Sequence, residues 1–330
     1  MINLDLYTKD YIAQFVQKRA HETKFGEEIE TITALADLQA HPAEYVLLGI
    51  PEDIGIRANK GKAGAAKTWE VFLNSFLNIQ TNIYNNPKNL ILLGEINCKA
   101  WMQKASSIPK TDEHYHQKLG GIVEKIDEAV ADVIQKIVES GKIPIVIGGG
   151  HNNAYGIIKG CSKATQKPIN VANIDAHTDL RPMDFRHSGN GFSYAMTENY
   201  LDRYSIFGIH RNYTSQAIFD SMDANKKIMY HLFEDCLHLT SLDKLVKMKS
   251  SLDFLKGQFG MELDCDAIHN INSSAVTPSG FSLNVMRSFM KLIRKHKIHY
   301  LHICEAAPHE YSLIGKTLSY LVSDFIRKEE

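Results

Sequence analysis

A regular alternation of short apolar segments with segments of helical periodicity limits the folds open to this chain. About eight apolar segments have the length of single strands: residues 44–50, 89–94, 143–147, 169–174, 204–209, 227–230, 259–263 and 298–303. Between them, Ile122, Ile126, Val130 and Val133 fall on one face of a predicted helix. Buried strands separated by helices are typical of a parallel sheet covered on both faces. The sequence therefore predicts an α/β protein, a three-layer α/β/α sandwich with a mostly parallel sheet of about eight strands.

The domain organisation follows from what lies between these segments. No internal repeat, low-complexity tract or Pro/Ser-rich linker interrupts the 330 residues, a length within the range of one large α/β unit. We therefore expect a single domain spanning residues 1–330. Tyr11, Ile12, Phe15 and Val16 have helical spacing, so we expect residues 1–40 to form a helical N-terminal cover.

Composition excludes several classes of partner. The formal net charge is −1 and no basic block is present, so we expect neither a nucleic-acid nor an anionic membrane partner. Asp5, Lys9 and Asp10 lie where a secretory signal would need its apolar core. No apolar run approaches the ~20 residues that span a bilayer.

The five cysteines are widely spaced and odd in number, which favours reduced thiols in a cytoplasmic protein.

Three of the apolar segments run directly into metal-binding residue types. The first leads through three glycines to a histidine, the second to an Asp-x-His-x-Asp pattern, and the third to Asp-x-Asp. These six candidate ligands are His151, Asp175, His177, Asp179, Asp264 and Asp266. If the chain stays extended after the second segment, its three ligands share one face, because residues i, i+2 and i+4 do so.

The carboxyl ends of neighbouring parallel strands meet at one edge of a sheet, where such folds place their sites. Six ligands are more than one cation takes from a protein, and carboxylates can bridge two ions. Carboxylates with one imidazole per ion suit two octahedral cations such as Mn²⁺, whereas a tetrahedral thiolate zinc site does not fit. Without cations the clustered carboxylates would repel one another. The sequence thus predicts a pair of octahedral cations such as Mn²⁺ in each subunit.

Five motifs, in order along the chain, carry a resemblance to a known family. They are GIPEDIG at 49–55 with the Gly- and Lys-rich segment at 59–65, GGGHNN at 148–153, DAHTD at 175–179, LDCDAI at 263–268 and CEAAP at 304–308. In these motifs the chain resembles the ureohydrolase or arginase family, which includes arginases, agmatinases and formimidoylglutamases. The resemblance implies a single α/β/α sandwich that assembles as a trimer or hexamer.

The resemblance also implies how the metals are held. The ligands implied for the first manganese are His151, Asp175, Asp179 and Asp264. Those implied for the second are Asp175, His177, Asp264 and Asp266, so that Asp175 and Asp264 bridge the two ions. The strand argument selects the same six residues.

A pair of such cations supplies an activated water near neutral pH. The planar, electron-poor carbon of an amidine or guanidinium is a suitable target. The resemblance implies that Glu305, in the CEAAP motif, orients the substrate's nitrogen groups, and Asp266 is placed to transfer a proton to the leaving amine. Asp266 and Glu305 are therefore the expected catalytic residues.

The segment at 180–193 bears on the substrate. Arginases and agmatinases have Ser-Gly-Asn-x-His-Gly or a close variant here, and this chain has Phe192 at the position of the histidine. That difference argues against a typical arginase. From this segment we expect Ser188 and Asn190 to contact substrate. His187 and His210 are disfavoured as replacements for the missing proton relay.

The DAHTD motif is followed by the dipeptide Leu180-Arg181, and in this the chain resembles formimidoylglutamases. A guanidinium can clasp a carboxylate with two hydrogen bonds. N-formimidoylglutamate has two carboxylates, whereas arginine has one and agmatine none. Arg181 therefore favours the diacid, with Arg211 or Arg186 as a second expected contact.

We therefore expect a manganese-dependent hydrolase that acts on a small linear amidine, with N-formimidoyl-L-glutamate and water giving L-glutamate and formamide in histidine breakdown. One alternative is a guanidino hydrolase that releases urea. Another is a metal-binding homologue without turnover, because Phe192 replaces the family's histidine and Gly150 and His269 stand where the family usually has carboxylates near the metals. Loss of such support lowers metal affinity by ~10–100-fold, unless His269 compensates.

Overall fold

One sheet organises the structure. The computed structural model describes residues 3–310 and 312–327. Within these ranges the sheet has nine strands: β1 (Leu4–Leu6), β2 (Tyr45–Gly49), β3 (Leu90–Ile96), β4 (Ile143–Ile147), β5 (Ile169–Ile174), β6 (Leu201–Ile209), β7 (Ile228–Leu232), β8 (Phe259–Asp264) and β9 (Ile298–Cys304). Their order across the sheet is β1-β3-β2-β4-β9-β8-β5-β6-β7.

Helices connect most of the strands. In the described residues they are α1 (Lys9–Ala13), α2 (Phe25–Glu28), α3 (Ile54–Ala58), α4 (Thr68–Phe76), α5 (Lys99–Ser107), α6 (Tyr115–Glu139), α7 (Asn153–Thr165), α8 (Gly191–Thr197), α9 (Gln216–Ala224), α10 (Ser241–Asp253), α11 (Leu283–Ile293) and α12 (Ile314–Ile326). Each of these helices is too short or too polar to cross a membrane.

The predicted α/β sandwich with a mostly parallel sheet is confirmed. All eight predicted strands are present, and they pair in parallel from β3 to β7. The prediction missed β1, which pairs antiparallel with β3 at the edge of the sheet, with Leu4 opposite Ile96. β1 has only three half-buried residues, and so short a segment has no recognisable periodicity.

Residues 3–40 differ from the expected helical cover. They contain β1, two α-helices of five and four residues, and a 3₁₀ turn. Between the helices the backbone pairs with a distant segment instead of continuing a helix: the amide of Phe25 donates to the Ile79 carbonyl (2.9 Å), and that of Thr81 donates to Thr23 (2.8 Å). The Phe25 amide and the Thr23 carbonyl are thus paired with residues 79–81 instead of with a preceding or following helical turn.

Two apolar layers lie on opposite faces of the sheet. Alternate residues of a strand point to opposite faces, so Leu47 packs with α4, α11 and α12, while its neighbour Val46 packs with α6 and α7. Both residues are fully buried. The helices cover the two faces of the sheet but not the carboxyl ends of its strands. β4, β9, β8 and β5 are neighbours in the middle of the sheet, so their carboxyl ends form a shared edge for a site.

Candidate binuclear metal site

A glycine turn after β4 presents His151 to this edge. Gly148 and Gly149 have φ of +93° and +75°, a region that side chains with a Cβ rarely adopt. A Cβ on Gly149 would also lie 2.3 Å from Asn153 Nδ2. The Gly148 amide donates to Ile303 of β9 at 2.9 Å, which ties the turn to the neighbouring strand.

His151 lies at the centre of the first group of predicted ligands. Its Nδ1 is 3.2 Å from Asp175 Oδ2, 2.8 Å from Asp179 Oδ2 and 3.0 Å from Asp264 Oδ2. The four side chains place one ligand atom each within 4.8 Å of one another. His151 Nδ1 is buried and has no hydrogen-bond partner among the described residues. A buried nitrogen facing three carboxylates is the geometry of a metal ligand.

The second predicted group lies beside the first and is more open. His177 Nδ1 is 3.6 Å from both Asp175 Oδ1 and Asp266 Oδ2. Asp175 thus turns one oxygen to each group, as a bridging ligand must. The ring of His177 stacks on Tyr213, with centroids 5.2 Å apart. The structure therefore brings all six predicted ligands together.

The route by which the ligands after β5 converge differs from the extended segment that we expected. Asp175 Oδ1 accepts a hydrogen bond from the His177 amide (2.7 Å), which closes a turn immediately after the strand. Asp179 then has φ of +50°, in the left-handed region. Backbone strain of this kind is characteristic of functional sites. The left-handed backbone at Asp179 turns its carboxylate back toward His151.

The buried carboxylates of the six candidate ligands require positive charge to offset their mutual repulsion. Burial raises the pKa of Asp264 well above its usual value, and the charges of Asp175 and Asp266 raise it further. Divalent cations between these side chains would offset the repulsion and keep the carboxylates ionised. Oxygen donors with one imidazole nitrogen per group suit a cation such as Mn²⁺, so the residues present fit the predicted metals.

Glu305 follows β9 and reaches the same site. Its φ is +63°, and its Oε1 accepts a hydrogen bond from the His151 amide at 2.6 Å. Its Oε2 is buried without a hydrogen-bond partner among the described residues. Burial raises the pKa of Glu305 to about 8, and the charge of Asp266 acts in the same direction. A buried acceptor of this kind can receive an N–H group of a ligand.

Sequence reasoning missed a buried network behind His151. Glu262 Oε2 lies 3.5 Å from His151 Nε2. The same carboxylate pairs with His302 Nδ1 (2.6 Å) and accepts from the Tyr300 hydroxyl (2.7 Å). A carboxylate behind a metal-binding imidazole sets its orientation and basicity. The available signal was an acidic residue in the middle of an otherwise apolar strand.

A second missed carboxylate supports the glycine turn. Glu52, fully buried, accepts hydrogen bonds from the Gly150 amide (3.1 Å), Asn153 Nδ2 (2.6 Å) and the Ile54 amide (2.6 Å). Glu52 belongs to the GIPEDIG motif, which sequence reasoning used only for the resemblance. Two buried carboxylates, Glu52 and Glu262, thus stand close to the candidate metal ligands.

The site opens into a cavity of about 160 Å³, here called the site cavity. Its lining residues are Asn59, Lys60, Gly61, His177, Thr178, Asp179, Arg181, Ser188, Tyr213, Ile218, Asp264, Asp266, Ser274, Ala275 and Glu305. Of the residues expected to contact substrate, Arg181, Ser188 and Glu305 line this cavity.

Comparison with known proteins agrees with this geometry. The model of the arginase family matches residues 43–322. The chain belongs to the arginase family. The formimidoylglutamase of Geobacillus sp. (strain WCH70) is 26% identical over 275 residues, which are 80% of this chain and 76% of that protein.

Solved structures share the arginase-family fold. A Trypanosoma cruzi formiminoglutamase, crystallised with Mn²⁺, superposes with a TM-score of 0.73 at 18% identity, covering 93% of this chain and 98% of that one. The formimidoylglutamase of Bacillus subtilis subsp. subtilis str. 168 gives 0.72 at 17% identity, covering 94% and 92%. The predicted resemblance is therefore confirmed.

The differences from the usual arginase-family motifs have structural explanations. A Cβ on Gly150 would lie 2.5 Å from Asn152 Oδ1, so the neighbouring asparagine occupies the space that a larger residue would need. Phe192 is buried, stacks on Tyr204 and meets the edge of the His151 ring, with centroids 4.3 and 5.1 Å away. It therefore packs behind the metal ligand instead of facing the site cavity.

The histidines considered as replacements do not line the site cavity. His269 is exposed, and its Nδ1 faces the Phe281 carbonyl at 3.2 Å, so it does not compensate for a lost carboxylate at the metals. His187 Nδ1 accepts from the Gly189 amide (3.1 Å), and burial lowers the pKa of His187 to about 4. His210 is buried and stacks on Phe233, with centroids 4.7 Å apart.

Two residues expected to contact substrate, Asn190 and Arg211, do not line the site cavity. Asn190 is fully buried: its Oδ1 accepts from Arg186 at 2.6 Å, and its Nδ2 donates to the Pro182 and Phe185 carbonyls. These internal bonds occupy the amide, so Asn190 shapes the loop. Arg211 is exposed and pairs with Asp235 at 3.0 Å, outside the site cavity. These contacts could not be read from the sequence. The partner of Arg211, Asp235, lies 24 residues away, and the partners of Asn190 are set by the fold of the loop.

Arg186 is likewise a structural residue. It is 2% exposed, and its guanidinium donates to both oxygens of Asp127 at 2.9 and 3.3 Å. The same group stacks over Tyr155 and Tyr194, 4.8 Å from each ring centroid. A planar fork makes these contacts and an ammonium does not.

We expect Arg186→Lys to lower the free energy of unfolding by about 2 kcal/mol, because charged hydrogen bonds in a buried site are lost. Urea unfolding measures this effect, with the exposed Arg19→Lys as the matched control. The KM for substrate should stay unchanged. A raised KM at unchanged stability would instead return Arg186 to the substrate-binding residues.

Proposed function

We propose that this arginase-family chain is a binuclear-manganese hydrolase that converts N-formimidoyl-L-glutamate and water to L-glutamate and formamide. The observation that carries the proposal is the site cavity, whose lining includes four of the six candidate ligands, Glu305 and the exposed Arg181. Glu305 Oε2 has no hydrogen-bond partner among the described residues. The formimidoylglutamase named among the relatives supports the same reaction.

The proposed ligands divide into two sets that share bridging aspartates. The first manganese would be held by His151, Asp175, Asp179 and Asp264, and the second by Asp175, His177, Asp264 and Asp266. When bound, the two ions supply an activated water near neutral pH. Glu262 holds the His151 ring from behind through its contact with Nε2.

Glu305 orients the amidine. Its Oε2 is free to accept an N–H of the substrate, while Oε1 is held by the His151 amide. Neutralising the charge of Asp266 removes one cause of the raised pKa of Glu305, so the carboxylate ionises more readily and binds a cationic amidinium. Orientation by a fixed carboxylate lowers the entropy cost of reaching the reactive geometry.

Asp266 moves the proton that the reaction requires. The water oxygen forms a bond to the formimidoyl carbon, and the bond between that carbon and the glutamate nitrogen breaks. The leaving nitrogen must gain a proton from the former water. Asp266 Oδ1 accepts a hydrogen bond from the Ala275 amide at 3.2 Å, which orients the carboxylate that carries the proton across.

We expect Arg181→Ala to raise the KM for N-formimidoyl-L-glutamate by about 10-fold or more with little change in kcat, because a charge-assisted carboxylate contact is lost. Steady-state kinetics measure this, and Arg211→Ala is the matched control, since Arg211 is an exposed arginine outside the site cavity. An unchanged KM for Arg181→Ala would make Arg181 a surface residue without a role in binding.

A product assay tests the proposal directly. Manganese-loaded protein is offered N-formimidoyl-L-glutamate, arginine, agmatine and guanidinobutyrate separately. Glutamate and formamide from the first compound alone support the proposed reaction. Urea from a guanidino compound would replace it with a guanidino hydrolase. Absence of turnover on all four, with two manganese ions bound, would favour a non-catalytic homologue.

We further propose that residues 1–330 form a single domain and that the protein is a cytoplasmic trimer or hexamer. The five cysteines are buried and unpaired, as expected in a reducing compartment. Light scattering after size-exclusion chromatography measures the assembly, and a monomer would overturn this part of the proposal.

A further inference from the structure

The site cavity separates its charges by depth. Its buried wall carries Asp264, Asp266 and Glu305, each 2–3% exposed. Its exposed mouth carries Lys60 and Arg181, the only lysine and arginine among the described lining residues. A ligand that matches this cavity is cationic at the end near the acids and anionic at the other end.

Hydrogen bonds of Asn59 tie the loop that carries Lys60 to the segment that carries Arg181. Asn59 Oδ1 accepts from Arg181 Nη1 at 3.1 Å, and Asn59 Nδ2 donates to Ser188 Oγ at 3.1 Å. Lys60 is the next residue in the chain, and with Arg181 it lines a second cleft that adjoins the site cavity. The loop that carries Lys60 is thus anchored to the segment that carries Arg181.

The backbone of Lys60 is fixed in a conformation that is uncommon for lysine. Its φ is +64°, in the left-handed region where Gly and Asn are usual. The Lys60 amide donates to Arg57 at 3.2 Å and the Gly61 amide to Ile56 at 2.8 Å. These bonds fix the backbone of the loop at Lys60, which lines the site cavity.

The charges of both mouth cations are available to a ligand. Within residues 3–310 and 312–327, no carboxylate forms an ion pair with Lys60 or Arg181, and the one described partner of the Arg181 guanidinium is the neutral side chain of Asn59. Two unpaired cations at the mouth of one cavity favour an anion between them. The mouth is therefore complementary to two negative charges.

We propose that Lys60 is a specificity-determining residue that binds one carboxylate of the substrate while Arg181 binds the other. This inference rests on the proposed function, since N-formimidoyl-L-glutamate has an amidine at one end and two carboxylates at the other. A guanidino monocarboxylate leaves one mouth cation unpaired. Agmatine presents a second cation to both, which disfavours it further.

The test compares Lys60→Asn with Lys62→Asn on manganese-loaded protein. Asparagine tolerates the left-handed backbone and removes the charge, and Lys62 is an exposed lysine of the same loop outside the lining. The substrates are N-formimidoyl-L-glutamate, its γ-amide N-formimidoyl-L-glutamine, and N-formimidoyl-4-aminobutyrate, which lacks the α-carboxylate. Lys60→Arg checks whether charge alone suffices.

We expect Lys60→Asn to raise the KM for the diacid by about 10-fold with kcat unchanged. The penalty should vanish for one of the two monocarboxylate substrates, and the penalty of Arg181→Ala should vanish for the other. Lys60→Arg should retain most of the affinity and Lys62→Asn all of it. An unchanged KM for Lys60→Asn, or an equal loss on all three substrates, overturns the proposal.

Calorimetric binding of glutarate separates this inference from the proposed reaction. If the wild-type protein hydrolyses no amidine but binds glutarate, and Lys60→Asn but not Lys62→Asn weakens that binding about 10-fold, Lys60 is a carboxylate-binding residue and the reaction is wrong. If N-formimidoyl-L-glutamate is hydrolysed and Lys60→Asn changes neither KM nor glutarate affinity, the reaction stands and the role of Lys60 is wrong.

Discussion

Replacing Asp175 with alanine should abolish both metal pairing and activity. Its two oxygens face different ligand groups, Oδ2 toward His151 at 3.2 Å and Oδ1 toward His177 at 3.6 Å. The loss of a bridging ligand therefore weakens both cation positions together. We expect kcat/KM to fall by more than about 10³-fold, well beyond the 10–100-fold effect of an outer-shell partner.

Metal analysis of the purified protein, together with kinetics, measures this effect. Asp202→Ala is the matched control, because Asp202 is 42% exposed on its side chain and pairs with Lys227 at 2.8 Å, far from the ligands in sequence. Circular dichroism shows whether the variant is folded, and Asp175→Asn preserves side-chain volume if the alanine variant is not. Two tightly bound ions and wild-type turnover in Asp175→Ala would contradict the ligand assignment.

Glu305→Gln should lose turnover while keeping its manganese. The carboxylate is not among the proposed ligands, and its Oε2 has no hydrogen-bond partner among the described residues. Glutamine retains the volume and can keep the hydrogen bond from the His151 amide, but it has no negative charge to hold an amidinium. We expect kcat to fall by about 10²–10³-fold, the usual effect of removing one group that stabilises charge in the transition state.

Single-turnover kinetics and metal content are measured on the same preparation. Glu70→Gln, an exposed glutamate of α4, is the control for the loss of one carboxylate. If Glu305→Gln loses manganese, Glu305 supports the metals instead of the substrate. If its kcat equals that of the wild type, Glu305 is a structural residue that holds the glycine turn.

The fold places negative charge in the buried part of the site and positive charge at its mouth. The buried carboxylates demand cations, and the burial that raises the pKa of Asp264 also keeps water from screening the site. The mouth places Arg181 and Lys60 in solvent. A substrate with a planar cationic end and an anionic end therefore has one favourable orientation, in which its amidine carbon faces the metals.

Much of this architecture follows from local sequence patterns. Apolar runs such as residues 143–147 and 169–174 predicted central strands that the structure contains with the same bounds. The six candidate ligands were identifiable because each directly follows one of these runs, and the end of a buried strand is where side chains reach an open edge. β1 was missed because a three-residue edge strand is defined by its partner β3 and not by its own composition.

Other residues could not be assigned because their partners are remote. Arg186 and Asn190 stand in the same loop as Arg181 and Ser188, and all four are polar residues that could contact a substrate. Only packing separates them: Asp127 of α6, 59 residues away, takes up the guanidinium of Arg186, and the Arg186 side chain then occupies Asn190.

The sequence by itself determined the class of fold, the family and the six metal-ligand candidates, because strand alternation and strand-end motifs are local. Only the tertiary structure decided that β4, β9, β8 and β5 are neighbours, that Glu52 and Glu262 stand behind the site, and that Lys60 joins Arg181 at its mouth. These features depend on contacts between segments that lie far apart along the chain, and such contacts are set by the packing of the whole core.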